Sequence, residues 1–409
     1  MNSSESIEKF RPEDPLGVIM QTELCQCKNQ SYGQPISNLK ELILSHLTKI
    51  GFMITDKGQL SLPKDKSYVR EAHQAAVSIS INKNRHMILK HELEFIDKYL
   101  IDGKSLDVAK IEPKFMLVDK ENTNLFNWIK LHWSIPISAG YGRRLRYIVK
   151  DNTNGAVMGI IGLADPVFGI KDRDNLIGWT REARGEMLRN VMDAFVLGAV
   201  PPYSLVLGGK LIASLLAAPR IRSDFKNKYR GKRSRISGRI FDGKLALITT
   251  ASAFGKSSVY DRIKIHNGPE MLHAGWSSGS GEFHLFSDFY DQLATLVKEE
   301  VKQRKNPLWG TGIRNKRVVI SAALDKLNLP RDLLYHNVKR ELFAMPLGKH
   351  SFEFLRGETK NVGYYNIKQH EIVDFIKNRW MVPRSMRNST YMSFKKEQYS
   401  LVDILNKYP

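Results

Sequence analysis

The sequence predicts an α+β protein: a central mixed, largely antiparallel sheet module flanked by α-rich N- and C-terminal regions. Three observations predict it. Residues 141–163 read as a β-branched strand, a turn and a short apolar run, the pattern of an antiparallel hairpin. Two further apolar strands, at about 194–200 and 245–250, alternate with helical segments. On either side of this module, apolar residues recur at helical rather than strand spacing. At roughly 150 residues per domain, the 409 residues divide into about two or three units. The boundaries fall at 1–130, 131–290 and 291–409: an α-rich N-terminal domain, an α/β core module and an α-rich basic C-terminal region.

The first 35 residues are irregular, with Pro12, Pro15, Gly33 and Pro35. From Ser37 the pattern turns helical. Asn38 and Glu41 have capping-box spacing, Leu39, Leu42, Ile43 and Leu47 share a face, and Gly51 is a stop signal. Phe52-Met53-Ile54 and Leu60-Ser61-Leu62 flank Asp56-Lys57-Gly58 as a small hairpin, and a second amphipathic helix spans about Met87 to Leu100. In the core module, Arg143 to Val149 and Ala156 to Leu163 form the hairpin across Asn152-Thr153-Asn154-Gly155. A helix at about 181–191 follows, then a strand. A loop at 205–209 opens a helix that stops at Pro219, and a basic loop runs from Arg220 to Gly243. The next strand leads to a short helix near 258–263. Beyond Asp288, helices are expected over 293–301, over 318–327 and 331–342 as a tight helical pair, and over 369–380.

Charge narrows the partners. Charged residues at 26% and hydrophobic residues at 42% are ordinary for a globular chain, which excludes a largely disordered, collagen-like or multi-span membrane protein. The net charge, however, is +21, and residues 141–409 carry +20 of it. So one-sided a charge favours a polyanion: nucleic acid, with DNA foremost, an acidic membrane face or an acidic protein. The polar, acidic N-terminus lacks a signal-peptide pattern. No uncharged apolar run of about 18–20 residues occurs, so a cytoplasmic protein with no membrane contact is expected. Cys25 and Cys27 have no matching ligand pair, so no metal site is expected.

Three features offer chemistry. Arg220, Arg222, Lys226, Lys228, Arg230, Lys232, Arg233, Arg235 and Arg239 lie within twenty residues against a single acid, Asp224. Such a density suits salt-sensitive contact with phosphates. In the tail, Lys377, Arg379, Arg384, Arg387, Lys395 and Lys396 occur with no acid between them and alternate with Trp380, Tyr391 and Phe394, a pattern suited to single-stranded nucleic acid. Arg384 and Arg387 are the tail's nucleic-acid candidates. Gly208-Gly209-Lys210, at a strand-to-helix junction, is a candidate phosphate site, although it lacks the P-loop spacing; the alternative is close packing of a helix on the sheet. No hydrolase triad, zinc-protease motif or metal-spaced His/Cys set is present, so no catalytic residue follows from motifs.

The core module resembles the DruA family of Druantia anti-phage defence proteins. The resemblance is carried by Arg143-Arg144-Leu145-Arg146-Tyr147, Ala156 to Gly162, Arg173-Asp174-Asn175-Leu176-Ile177-Gly178-Trp179 and Leu207 to Leu211. It covers about residues 130–290 well and the C-terminal region more loosely. It implies a role in bacterial antiviral defence beside a large helicase-like subunit and smaller system proteins. The strand order is also similar, more distantly, to the acetyltransferase-like fold. That similarity implies an alternative: an enzyme modifying nucleic acid or protein, with Gly208-Gly209-Lys210 cradling acyl-coenzyme A and Tyr260 as its acid. The loop departs from the Arg/Gln-x-x-Gly-x-Gly/Ala pattern of that fold, and no cofactor is the primary expectation.

Overall fold

A computed structural model describes residues 36–55, 59–61, 66–137, 142–234, 238–279, 283–285, 289–303 and 316–407. Cys25, Cys27, the hairpin tip at 56–58 and Arg235 lie outside the described residues. In chain order the elements are α1 (Ile36–Lys49), β1 (Met53–Ile54), β2 (Leu60–Ser61), α2 (Lys66–Lys83), α3 (Arg85–Tyr99), β3 (Pro113–Leu117) and α4 (Thr123–Leu131). Then come β4 (Arg144–Asp151), β5 (Val157–Ala164), α5 (Lys171–Ile177), α6 (Arg181–Met187), β6 (Val191–Ala199), α7 (Gly208–Ser214), α8 (Pro219–Tyr229), β7 (Leu247–Ala251) and β8 (Leu272–Trp276). The remainder is α9 (Tyr290–Leu296), α10 (Lys298–Gln303), α11 (Lys316–Lys326), β9 (Glu341–Pro346), α12 (Ser351–Arg356), α13 (Gln369–Ile376), α14 (Val382–Arg387) and α15 (Val402–Lys407).

Seven strands form one sheet in the order β3-β4-β5-β6-β7-β9-β8. Every neighbouring pair is antiparallel except β6 and β7. The sheet is therefore mixed and largely antiparallel, as the sequence indicates. Alternation along β4 explains its placement. Leu145, Tyr147 and Val149 enter the core beneath α7, α8 and α13, whereas Ile148 joins the opposite core beneath α3 and α4. Arg144 and Arg146 share the Ile148 face, because side chains two apart on a strand point the same way. All eight residues of β5 are buried, as a central strand between two helical layers requires.

The parallel pair β6–β7 makes only three cross-strand matches, Val191 with Leu247, Met192 with Ile248 and Asp193 with Thr249. Past these the strands separate: β6 continues against β5 and β7 against β9. This leaves a mouth at their C-terminal ends.

Several local expectations are corrected. The segment after Ala218 begins as a helix rather than a loop, because Pro219 starts it and Ile221, Phe225 and Tyr229 bury one face at intervals of four. Residues 258–263 form turns, not a helix. The second helix expected over 331–342 is a short 3-10 turn, Arg331–Leu334, followed by β9. Apart from these corrections, the sheet takes β3 from before residue 131 and β9 from after residue 290. A separate helical core joins Leu39, Ile43 and Leu47 of α1 to Leu293 of α9 and Val319, Ile320 and Leu324 of α11. No described helix is long and apolar enough to cross a membrane.

Candidate nucleic-acid interface

The apolar stripe of α8 fixes its cations in place. Tyr229, last in that stripe, accepts a hydrogen bond from the Arg144 backbone N–H (2.7 Å) and donates one to the Arg144 carbonyl (2.7 Å). Lys228 donates to the same carbonyl at 2.8 Å. The C-terminal end of α8 is thus stitched to the first residue of β4. Arg146, two residues along the strand, lies over the Phe126 ring of α4 at 5.5 Å, and Lys130 follows one turn later on that helix. Lys130, Arg144, Arg146, Lys228 and Lys232 consequently converge from one strand, two helices and a loop.

Electrostatics shows how close they are. Burial holds the Lys130 ammonium below its usual range, and the charges of Arg146 and Arg144 lower it further. Lys228 is lowered by burial and then by Lys232 and Arg146; Arg146 by burial and then by Arg144. For these three groups, every charged neighbour that shifts the titration is a cation. Among the described residues, none of Lys130, Arg146, Lys228 and Lys232 has an ion pair. None of the charged neighbours that shift these three groups is a carboxylate, and like charges so gathered oppose folding unless an anion answers them.

The remaining predicted cations divide by environment. Lys226 and Arg230 are exposed on the other flank of α8, beside Gly243, and make no ion pair among the described residues. Arg220 is held by Asp224 at 2.8 Å, one turn away. Arg222 points elsewhere, lying over the Tyr364 ring at 4.5 Å. Arg233 closes its own loop on the Gly238 carbonyl (2.7 Å), and Arg239 bonds the Gly185 carbonyl (3.0 Å) and Glu186 (3.3 Å). Arg384 and Arg387 sit on α14, against the 108–110 turn that leads into β3. Because Pro113 of β3 faces Asp151, α14 belongs to the opposite end of β4 from Arg144. The tail is docked rather than spread for stacking: Tyr391 and Phe394 are buried, Lys395 pairs with Asp102 at 2.7 Å and Lys396 with Asp97 at 2.8 Å.

Gly208, Gly209 and Lys210 open α7 beside the mouth of the parallel pair. A Cβ at Gly208 would lie 2.6 Å from the Tyr203 carbonyl oxygen, and one at Gly209 3.1 Å from Val259 Cγ1. The glycines thus serve close packing. The Lys210 ammonium donates to the carbonyls of Ser258 (2.7 Å), Val259 (3.2 Å) and Asp261 (2.6 Å), and burial lowers its pKa to about 8. Tyr260 fills the mouth itself. Its hydroxyl donates to the Leu197 carbonyl at 3.0 Å, its ring meets Phe343 edge-on at 5.4 Å, and burial pushes its pKa up to about 12. The Lys210 ammonium and the Tyr260 hydroxyl are thus engaged by the chain's own carbonyls.

The most specific motif has a structural role as placed. Arg173 forks onto Asp174 and the carbonyls of Val167 (2.7 Å) and Phe168 (2.9 Å) beneath Trp179, whose indole N–H bonds the Leu355 carbonyl at 2.7 Å. Sequence reasoning quoted Arg144 and Arg146 for resemblance but missed them, and Lys130, as site residues. The available signal was Arg-x-Arg at strand spacing, which puts both cations on one face; nothing local linked them to α4 or α8.

The family model for Druantia protein DruA matches residues 63–357, a wider span than the core-module resemblance. A curated relative, Druantia protein DruA of Escherichia coli (strain UMEA 4076-1), is 36% identical over 367 residues, covering 88% of this chain and 90% of its own. No solved structure matches the chain. With seven-tenths of its length under one family model and a relative aligned nearly end to end, this chain belongs to the DruA family.

Proposed function

We propose that this DruA-family protein is a component of a Druantia-type anti-phage defence system, acting in the cytoplasm, and that it holds phage nucleic acid, DNA foremost, on the face built from α4, β4 and α8. The observation that carries this is the convergence of Lys130, Arg144, Arg146, Lys228 and Lys232 where Tyr229 and Lys228 close α8 onto Arg144 of β4 and Arg146 lies over Phe126 of α4. Phosphates would relieve that repulsion, and contact of this kind reads charge and spacing rather than base sequence. Other system proteins, a helicase-like subunit among them, would work on the DNA held there.

The test is anisotropy of fluorescent DNA across a salt series. Affinity should fall steeply with salt. The double variant Lys228→Glu, Lys232→Glu changes exposed side chains of this face and should lower the slope of log K against log salt by about 2. Wild-type binding that ignores salt, or a variant that binds like wild type, would overturn the proposal. An acidic protein partner in place of DNA would show as salt-sensitive capture of a system protein with no DNA affinity. The acyltransferase alternative has the weaker support, since Tyr260 and Lys210 are committed to the chain's own carbonyls.

A further inference from the structure

A cavity of about 360 Å³ opens between α2 and α4, roofed by residues 135–137. Its walls are apolar: Val77, Leu131, Ile135, Pro136 and Ile137. Polar and charged groups line it in equal number: Ser80, Asn84, Asn127, Lys83 and Lys130. Lys130 is the link to the basic face, because it lies one helical turn beyond Phe126, over whose ring Arg146 lies at 5.5 Å. Asn84 donates one amide hydrogen to the Ser80 carbonyl at 2.8 Å, which leaves its oxygen to accept. The Asn127 side chain makes no hydrogen bond among the described residues and is half-buried. Its amide therefore has both a donor and an acceptor to offer.

An apolar side facing a polar, cationic one suits a ligand that is itself flat and apolar on one face and hydrogen-bonding and anionic at its edge, and the volume lies in the usual range for a small-ligand pocket. The ligand must suit its surroundings. A flat heterocycle suits slabs of Ile and Pro, an amide pairs with the edge of a base, and two ammonium groups at the rim suit a phosphate backbone. We infer that this cavity receives a single unstacked nucleobase from the nucleic acid held on the adjoining basic face. The inference rests on the proposed nucleic-acid contact and deepens it, because it names what the protein reads: an extrahelical or single-stranded nucleotide rather than an intact duplex. Unstacking costs least where a base is already unpaired, so such a pocket selects irregular or opened DNA without reading long sequence.

The test compares two fluorescent DNAs at one salt concentration: a perfect duplex and the same duplex with one bulged adenine. Wild type should prefer the bulge by about tenfold, in line with one base–amide contact. Ile137→Trp fills the cavity and Asn127→Ala removes its amide. Both should lose the preference while keeping wild-type affinity for the perfect duplex, and that retained affinity shows the variants are folded. Equal wild-type binding of the two DNAs, or a preference that survives both substitutions, overturns the pocket and leaves the basic face standing. Failure of wild type to bind either DNA overturns the underlying contact instead.

Discussion

Arg173 is 1% exposed, and its charge is answered entirely by close neighbours. Asp174 takes it on one oxygen, and Arg184 takes the other oxygen at 2.7 Å. A buried cation with its partner removed keeps its desolvation cost and loses its compensation. Asp174→Asn and Arg173→Ala should each destabilise by about 3–5 kcal/mol, read from urea denaturation midpoints. A loss below about 1 kcal/mol would show that water reaches the site and that the motif serves something other than packing. At this scale the sequence was a poor guide to role. Arg173 and Arg146 look alike in the chain, yet one is fully paired with backbone and carboxylate while the other has only cations as charged neighbours. A side chain's partner is set by elements distant in sequence, and no local pattern encodes it.

The split between β6 and β7 is the element-scale feature with the clearest consequence. Tyr260 pins it by one hydrogen bond to the Leu197 carbonyl. Tyr260→Phe leaves that buried carbonyl without a donor and should cost about 1–2 kcal/mol in thermal or urea unfolding. DNA affinity should stay at the wild-type value, because the mouth lies at the end of β6 away from Val191, whereas Arg144 starts β4 beside Ala164 and hence beside Asp193. A variant that folds but loses DNA binding would place the mouth within the interface. Helix α8 teaches a complementary lesson. Its stripe of Ile221, Phe225 and Tyr229 behind Pro219 was legible in the sequence, but the density of cations masked it and suggested a loop. Burial of three side chains outweighs the repulsion among the cations on its surface.

Over the whole molecule, segments far apart in sequence are held by a few buried polar contacts as well as by the cores. His73 on α2 donates through Nδ1 to the Val69 carbonyl (2.7 Å) and accepts at Nε2 from Arg340 (2.9 Å), just before β9. Burial first, then the charge of Arg340, lowers its pKa from 6.5 to about 4. The folded protein therefore binds fewer protons than the unfolded chain between those values. The contribution of His73 to stability is complete above about pH 6.5 and is lost progressively as the pH falls toward 4. His284, also buried, is lowered to about 4 and adds loss in the same window. Urea midpoints should fall between pH 7 and pH 5, while the His73 ring resonance stays at its neutral position throughout. A ring inflection near pH 6.5 would mean that burial and Arg340 do not act on it.

The sequence by itself determined the chemistry of the surface and the class of fold. A +20 bias over residues 141–409, the alternation of β4, the unbroken apolar run of β5 and the helical stripe of α1 are all local, and local periodicity suffices to read them. Only tertiary structure decided which cations act together. Lys228 is far in sequence from Lys130 and Arg144, and the three meet because Tyr229 closes α8 onto β4 while α4 packs over the strand's other face. The same holds for β9, whose Leu-Phe-Ala-Met run fits a helix or a buried strand equally and becomes a strand because β7 and β8 present edges on both sides. Side-chain periodicity is a property of neighbours in sequence. Charge convergence and strand pairing are properties of neighbours in space.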